Sequence, residues 1–257
     1  MRVYDKIFFL LLISHLVIAK SAFAGIENRP LNTSEAVLLE KGKFAVASGA
    51  EFLRQSNYDK ELNWPTDLEC GIYDNMELDV EIPYSYINFK DGKTKSSNGL
   101  GDIAVWLGFN PIKETDICPV ISAAFSIKTQ SGNRGEGLGT GGTDYQILLL
   151  LSKEFGSVLA LVNLGYTVTG DSPDKSYRDT FSYNFALKHA IVKNWTIVGE
   201  IYGQTNPDKD EGMELWNMLG GFIYDVNDRL AVDFGIGTGL TSGSPNLRMT
   251  AGMTYEF

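Results

Sequence analysis

Glu77, Asp79 and Glu81 stand two residues apart, and the positions around them, Met76, Leu78, Val80 and Ile82, are all apolar. Successive residues of an extended chain point to opposite faces, so the three carboxylates share one face and the apolar side chains the other. If the apolar faces of such segments meet lipid, the polar faces line a lumen. The candidates for that lining are Glu77, Asp79, Glu81, Asp102, Trp106, Lys128, Asp144, Lys188, Glu200, Tyr202, Arg229, Asp233 and Arg248. Their chemistry is that of a charged, water-filled passage whose field selects solutes. Acids outnumber bases in the set, so cations or neutral solutes are expected to pass in preference to anions. The alternative is that the charges pair across a narrow interior and fill it.

Three other constellations offer less. Gly137-Leu138-Gly139-Thr140-Gly141-Gly142 has dinucleotide-loop spacing. That motif needs a strand before it and a helix after it. Here a strand follows and no helical period is visible, so a flexible surface loop is expected. Asp208, Asp210, Glu211 and Gly212 supply too few oxygens at fixed spacing for a calcium loop and read as a solvated acidic loop. His189 is the only histidine beyond residue 24. A hydrolase would need a serine beside it and an orienting third group. Ser152 and Ser182 are the candidates on neighbouring segments, and no spacing assembles them. No enzyme activity, cofactor or metal is expected.

The elements that must position the lumen candidates are strands. The composition and the spacing of turn residues predict twelve: 43–54, 62–71, 75–90, 98–110, 117–129, 143–153, 157–169, 177–189, 194–204, 213–224, 229–239 and 246–257. The last alternates without a fault and ends on an aromatic. Leu247, Met249, Ala251, Met253, Tyr255 and Phe257 lie on one face, against Arg248, Thr250, Gly252, Thr254 and Glu256. Tyr255 and Phe257 are the expected membrane-assembly signal. Every second connection is short (72–74, 111–116, 154–156, 190–193 and 225–228). The others (55–61, 91–97, 130–142, 170–176, 205–212 and 240–245) are longer and polar. Short turns on one rim and long loops on the other is the outer-membrane pattern. Strands of about ten residues, tilted near 40°, also match an apolar band of about 25 Å. Pro83 lies inside the third strand and cannot donate to a ladder, so a bulge or a later strand start is expected there.

The N-terminus sets the compartment. Arg2 and Lys6 precede an apolar stretch at 7–19, and Ala22-Phe23-Ala24 is a small-x-small cleavage site. Residues 1–24 therefore read as a secretory signal peptide. Residues 25–42 read as an irregular segment with one short helical turn at 34–39, and 43–257 as one barrel domain. Beyond the leader no aliphatic run approaches the roughly 20 residues of a membrane helix, so a chain in the membrane must be a closed barrel. The net charge of −10 argues against nucleic acid as a partner. Cys70 and Cys118, the only cysteines, fall on non-adjacent segments and read as separate thiols.

In order along the chain come Gly71 with Asp74-Asn75-Met76-Glu77-Leu78, Ile82-Pro83-Tyr84, Gly99-Leu100-Gly101-Asp102 and Pro119. Gly142-Thr143-Asp144-Tyr145, Ser152-Lys153 and Asn163-Leu164-Gly165-Tyr166 follow. Through these the sequence resembles a family of outer-membrane proteins labelled as transporters of the MetA pathway of phenol degradation. It departs at Lys128-Thr129-Gln130-Ser131-Gly132, where the family tends to carry Pro-Thr-Gly. The resemblance implies a barrel that carries small organic molecules and supplies no catalytic residues.

The sequence thus predicts an all-β, transmembrane, antiparallel up-and-down β-barrel of about twelve strands in the bacterial outer membrane. The expected function is passive passage of small solutes, aromatic or other organic. The expected partners are outer-membrane lipid, lipopolysaccharide and the barrel-assembly machinery. A plugged structural or surface-interaction barrel and a soluble periplasmic barrel with its apolar face inward are the alternatives.

Overall fold

The computed structural model describes residues 29–54, 60–91, 93–210 and 214–257, and the side chains of these except at 89–95. The leader, most of the 55–61 loop, and Glu211 and Gly212 of the acidic loop lie outside the described residues. Thirteen strands follow in chain order: β1 Phe44–Arg54, β2 Lys60–Tyr73, β3 Met76–Asp91, β4 Lys93–Leu100, β5 Ala104–Ile112, β6 Val120–Lys128, β7 Asp144–Phe155, β8 Val158–Val168, β9 Thr180–Val192, β10 Trp195–Gln204, β11 Leu215–Asn227, β12 Leu230–Gly239 and β13 Leu247–Glu256. Every pairing is antiparallel. β1 joins β13 and β2 joins β3, so the sheet closes. β4 and β5 are successive halves of one stave, β5 pairing the first part of β3 and β4 its second. The barrel therefore has twelve staves and closes on itself, with only the β4 half-stave paired on one side, to β3, among the described residues.

Pro83 does not interrupt β3, contrary to the expectation of a bulge or late start. It stands directly opposite Pro65 of β2. Its carbonyl accepts a 2.8 Å hydrogen bond from the Gly101 N–H on the far side. The two prolines therefore form a non-hydrogen-bonded pair, with both backbones turned away from each other. Their missing N–H groups face gaps in the outer ladders. The β1–β2 ladder keeps its register but is interrupted between Thr66 and Asn63, and the β4–β5 stave breaks at residues 101–103. A closed barrel thus accommodates two prolines by breaking the neighbouring ladders rather than the strands that carry them. The expected loop at 91–97 is also mostly strand. β3 and β4 continue as a hairpin, pairing as far as Asp91 with Lys93.

The alternation sorts the side chains as the sequence leads one to expect. Ile147, Leu164, Phe181 and Met253 stand half exposed on the outer face. Asp67, Glu77, Asp79, Ser122, Asn163, Lys188 and Glu200 are buried on the inner one. A soluble barrel would have the reverse arrangement, so the apolar belt belongs in hydrocarbon and the protein is an outer-membrane barrel. Tyr255 and Phe257 stack edge-on 4.8 Å apart on the same side, and the Phe257 N–H bonds the Phe44 carbonyl. Cys70 and Cys118 are free thiols.

Leu164, 50% exposed near the middle of β8, tests the belt. Its replacement by Arg should cost the vesicle-inserted barrel about 2–4 kcal/mol. The loss is read as a lower denaturant midpoint, and an unchanged midpoint would place this face outside the hydrocarbon.

Candidate functional site

The lower half of the lumen is filled by the chain's own N-terminal segment. Residues 29–42 rise inside the barrel from the short-turn rim with no helical turn, contrary to the expectation for 34–39. The turn does not form because the segment's backbone groups find partners on the wall instead of each other. The Leu39 N–H donates to Glu77 of β3. The Ala36 N–H donates to the Ser152 hydroxyl at 2.8 Å, and its carbonyl accepts from Asn110 and Ser122. Glu35 and Lys188 form a buried ion pair at 2.6 Å. The amide of Asn163 answers both backbone groups of Ser34, at 2.7 and 3.0 Å.

Glu200 of β10 carries the densest part of this contact. Its carboxylate accepts the backbone N–H and side-chain amide of Asn32, and the backbone N–H and hydroxyl of Thr33, all within 3.0 Å. Arg29 reaches Thr250 at 2.7 Å and Asp233 at 3.3 Å. Its guanidinium lies over the directly paired Gly49 and Gly252, where an added Cβ would come within 2.4 Å of it. The absence of side chains at both positions makes the slot. Apolar seats complete the fit. Leu31 packs with Leu161, Ala186, Val198 and Leu219, and Ala36 and Leu38 pack with Val120, Ala124, Leu148 and Leu150.

The upper half is open. A cavity of about 340 Å³ lies under the long loops, bordered by Glu81, Asp102, Trp106, Lys128 and Asp144. Lys128 bridges Asp144 at 2.8 Å and Asp102 at 3.6 Å. Asp102 also accepts the backbone N–H groups of Gly132 and Thr140, tying the glycine-rich 129–143 loop to the wall. That loop is pinned, with Leu138 buried, rather than a free surface loop. A second cavity of about 240 Å³ holds Arg29, Glu51, Asp67 and Arg248. Arg248 contacts Glu51 and donates to the Tyr202 hydroxyl at 3.1 Å. A third, about 330 Å³, is floored by Asn32 and Ser34 of the segment.

Of the sequence candidates, Glu77, Lys188, Glu200 and Asp233 hold the segment. Glu81, Asp102, Trp106, Lys128, Asp144, Tyr202 and Arg248 border the chambers above it. Asp79 is buried on the inner wall of β3. Arg229 is a correction: it lies in the exposed 228–229 turn before β12, because β11 runs on to Asn227 and leaves it at the rim. Sequence reasoning missed Asn110, Ser122, Ser152, Asn163 and Thr250. Each is an uncharged polar residue on the inner side of its strand, and Asn163 inside VLALVNLGYTV is the plainest signal.

Above the chambers the loops clasp one another. Arg134 pairs with Asp174, and Lys175 with Asp208. The Tyr177 backbone N–H and the Ser176 hydroxyl hold the Asp171 carboxyl below the usual carboxylate range. The Lys175 ammonium and the Asp210 N–H do the same for Asp208. Depressed folded-state values stabilise the clasp above the ordinary carboxylate pKa, and that contribution disappears as pH falls through the depressed values. A dye on Lys209→Cys should report an unchanged loop from neutral pH down to about pH 4, then a loosening below it. Loosening already near pH 6 would contradict this. Beneath the barrel, His189 contacts the Ser157 hydroxyl at 3.3 Å at the short-turn rim, with no orienting acid or amide hydrogen-bonded to it among the described residues.

Solved structures share this architecture. An outer membrane channel of the COG4313 group from Pseudomonas putida F1 superposes with a TM-score of 0.70 at 11% identity, covering 90% of this chain and all of the other. The KdgM porin gives 0.58 at 10% identity over 83% of this chain and 99% of its own. The NanC porin gives 0.55 at 11% over 82% and 98%. At such identities the likeness establishes the fold. No curated protein sequence matches the chain. Residues 27–257 match a family profile, and the chain belongs to that family, described as "Putative MetA-pathway of phenol degradation".

Proposed function

We propose that this protein is a passive channel or facilitator for small organic solutes in a bacterial outer membrane. Solutes approach from the long-loop side through the upper chambers, and residues 29–42 form the restriction below. The observation that carries this reading is the polar inner wall left open above the segment, in three cavities that adjoin in pairs: Glu81 borders the first and second, Trp106, Gln146 and Gln204 the first and third, and Asn32 the second and third. Diffusion past such a wall needs no cofactor and no catalytic step. The apolar belt would contact lipid and lipopolysaccharide, and Tyr255 and Phe257 fit a terminal signal for barrel-assembly machinery. Liposome swelling with sugars, amino acids and aromatic acids tests the reading, and at least one class should pass faster than through protein-free vesicles. If none does, the second reading, a plugged structural or surface barrel, takes its place. The hydrogen-bonded segment is the observation that favours it.

Charge gives an expected selectivity. Glu51, Asp67, Glu81, Asp102 and Asp144 border the two charged cavities against Arg29, Lys128 and Arg248. An excess of acid in a confined, low-dielectric lumen concentrates cations. Reversal potentials in a salt gradient should show a preference for cations, and clear anion selectivity would overturn the assignment.

A further inference from the structure

The chamber floored by the segment differs from its neighbours in chemistry. No charged side chain borders it. Gln146 of β7, Ser182 of β9, Gln204 of β10 and Asn217 of β11 converge on it, with the rings of Trp106 and Tyr202. Among the described residues none of those four makes a side-chain hydrogen bond. Below, by contrast, Asn110, Ser122, Ser152 and Asn163 are all engaged with the segment. Four uncommitted side chains from four strands, β7 and the consecutive β9, β10 and β11, each able to donate and accept, therefore face one open space.

We infer that this chamber is a binding site for a neutral, hydroxyl-rich solute of monosaccharide or cyclic-polyol size. Its volume of about 330 Å³ lies at the small end of ligand sites. An ion would surrender its hydration here with no counter-charge on the lining. An apolar solute would strip water from the amides and return no hydrogen bonds. A compact ring bearing several hydroxyls replaces that water group for group and lays its carbon face against Trp106 or Tyr202. The inference deepens the channel reading and rests on it.

Trp106 supplies the test, because Trp64, Trp195 and Trp216 lie on the other face of their strands. Full-length protein, folded in the sugar-free detergent lauryldimethylamine oxide, is titrated with glucose, myo-inositol, gluconate, glucosamine and phenol while tryptophan emission is followed. Glucose or inositol should give a saturable change that disappears in Trp106→Phe. Gln204→Ala with Asn217→Ala should weaken it by about fivefold or more, and Lys193→Ala in a distant turn should leave it unchanged. Heat-modifiable migration on a gel certifies that each variant is folded. Gluconate, glucosamine or phenol binding as tightly as glucose, or no saturable response to either polyol, would overturn the inference. Liposome swelling keeps the two claims apart. Glucose that permeates without saturable binding leaves the channel and removes the site, whereas binding with no permeation by any solute removes the channel.

Discussion

A chain lacking residues 25–39 should conduct on the order of ten times more current in planar bilayers than the full-length protein. The expectation follows from what the segment occupies. A barrel of about eight strands is filled by its own side chains, whereas about sixteen leave an aqueous channel. A twelve-stave barrel has room for one extra strand of peptide, and residues 29–42 take that room in the lower half. No strand ladder of the ring includes them, since each stave pairs only with its neighbours, so the shortened barrel should still fold and insert. A complementary variant guards against misfolding on deletion. Ser34→Cys with Asn163→Cys, in a background without Cys70 and Cys118, should hold the segment in place through a disulfide. It should conduct poorly until reductant is added. Equal conductance of deleted and full-length protein would mean that the segment leaves the lumen in the membrane.

Glu200→Ala should undo the top of the plug. It removes the acceptor of four donors from Asn32 and Thr33. Hydrogen bonds to a charged group contribute about 1.5–3 kcal/mol each, and buried donors left without a partner cost about 1–3. The loss at this one site is thus on the order of several kcal/mol, more than the weaker polar contacts nearby can offset. Amide exchange at residues 30–34 should rise by orders of magnitude while the barrel strands stay protected. Conductance should rise toward that of the deleted chain. Glu200→Gln retains the acceptor oxygen without the charge and should lie between. Unchanged exchange in Glu200→Ala would show that Leu31 and the Lys188–Glu35 pair hold the segment unaided.

The two effects separate what is local from what is distant. Strand positions, the inward side of the lumen candidates other than Arg229 and the rim asymmetry were legible in the sequence because they rest on a period of two and on turn residues, each readable within about ten positions. Arg229 failed where a boundary moved by a few residues and carried it into a turn. Pro83 failed because the relief for a missing N–H lies in the partner strands, at Pro65 and at residues 101–103.

The sequence alone pointed to a barrel through alternation repeated strand after strand, and to lipid outside it and the outer membrane through strand length, rim asymmetry and the leader. Only the tertiary structure decided that the lumen is half filled, and by which residues. Those contacts join Ser34 to Asn163 across 129 residues and Arg29 to Thr250 across 221. No periodicity in residues 29–42 encodes them. Their partners come from separate staves and face one another only once the ring has closed.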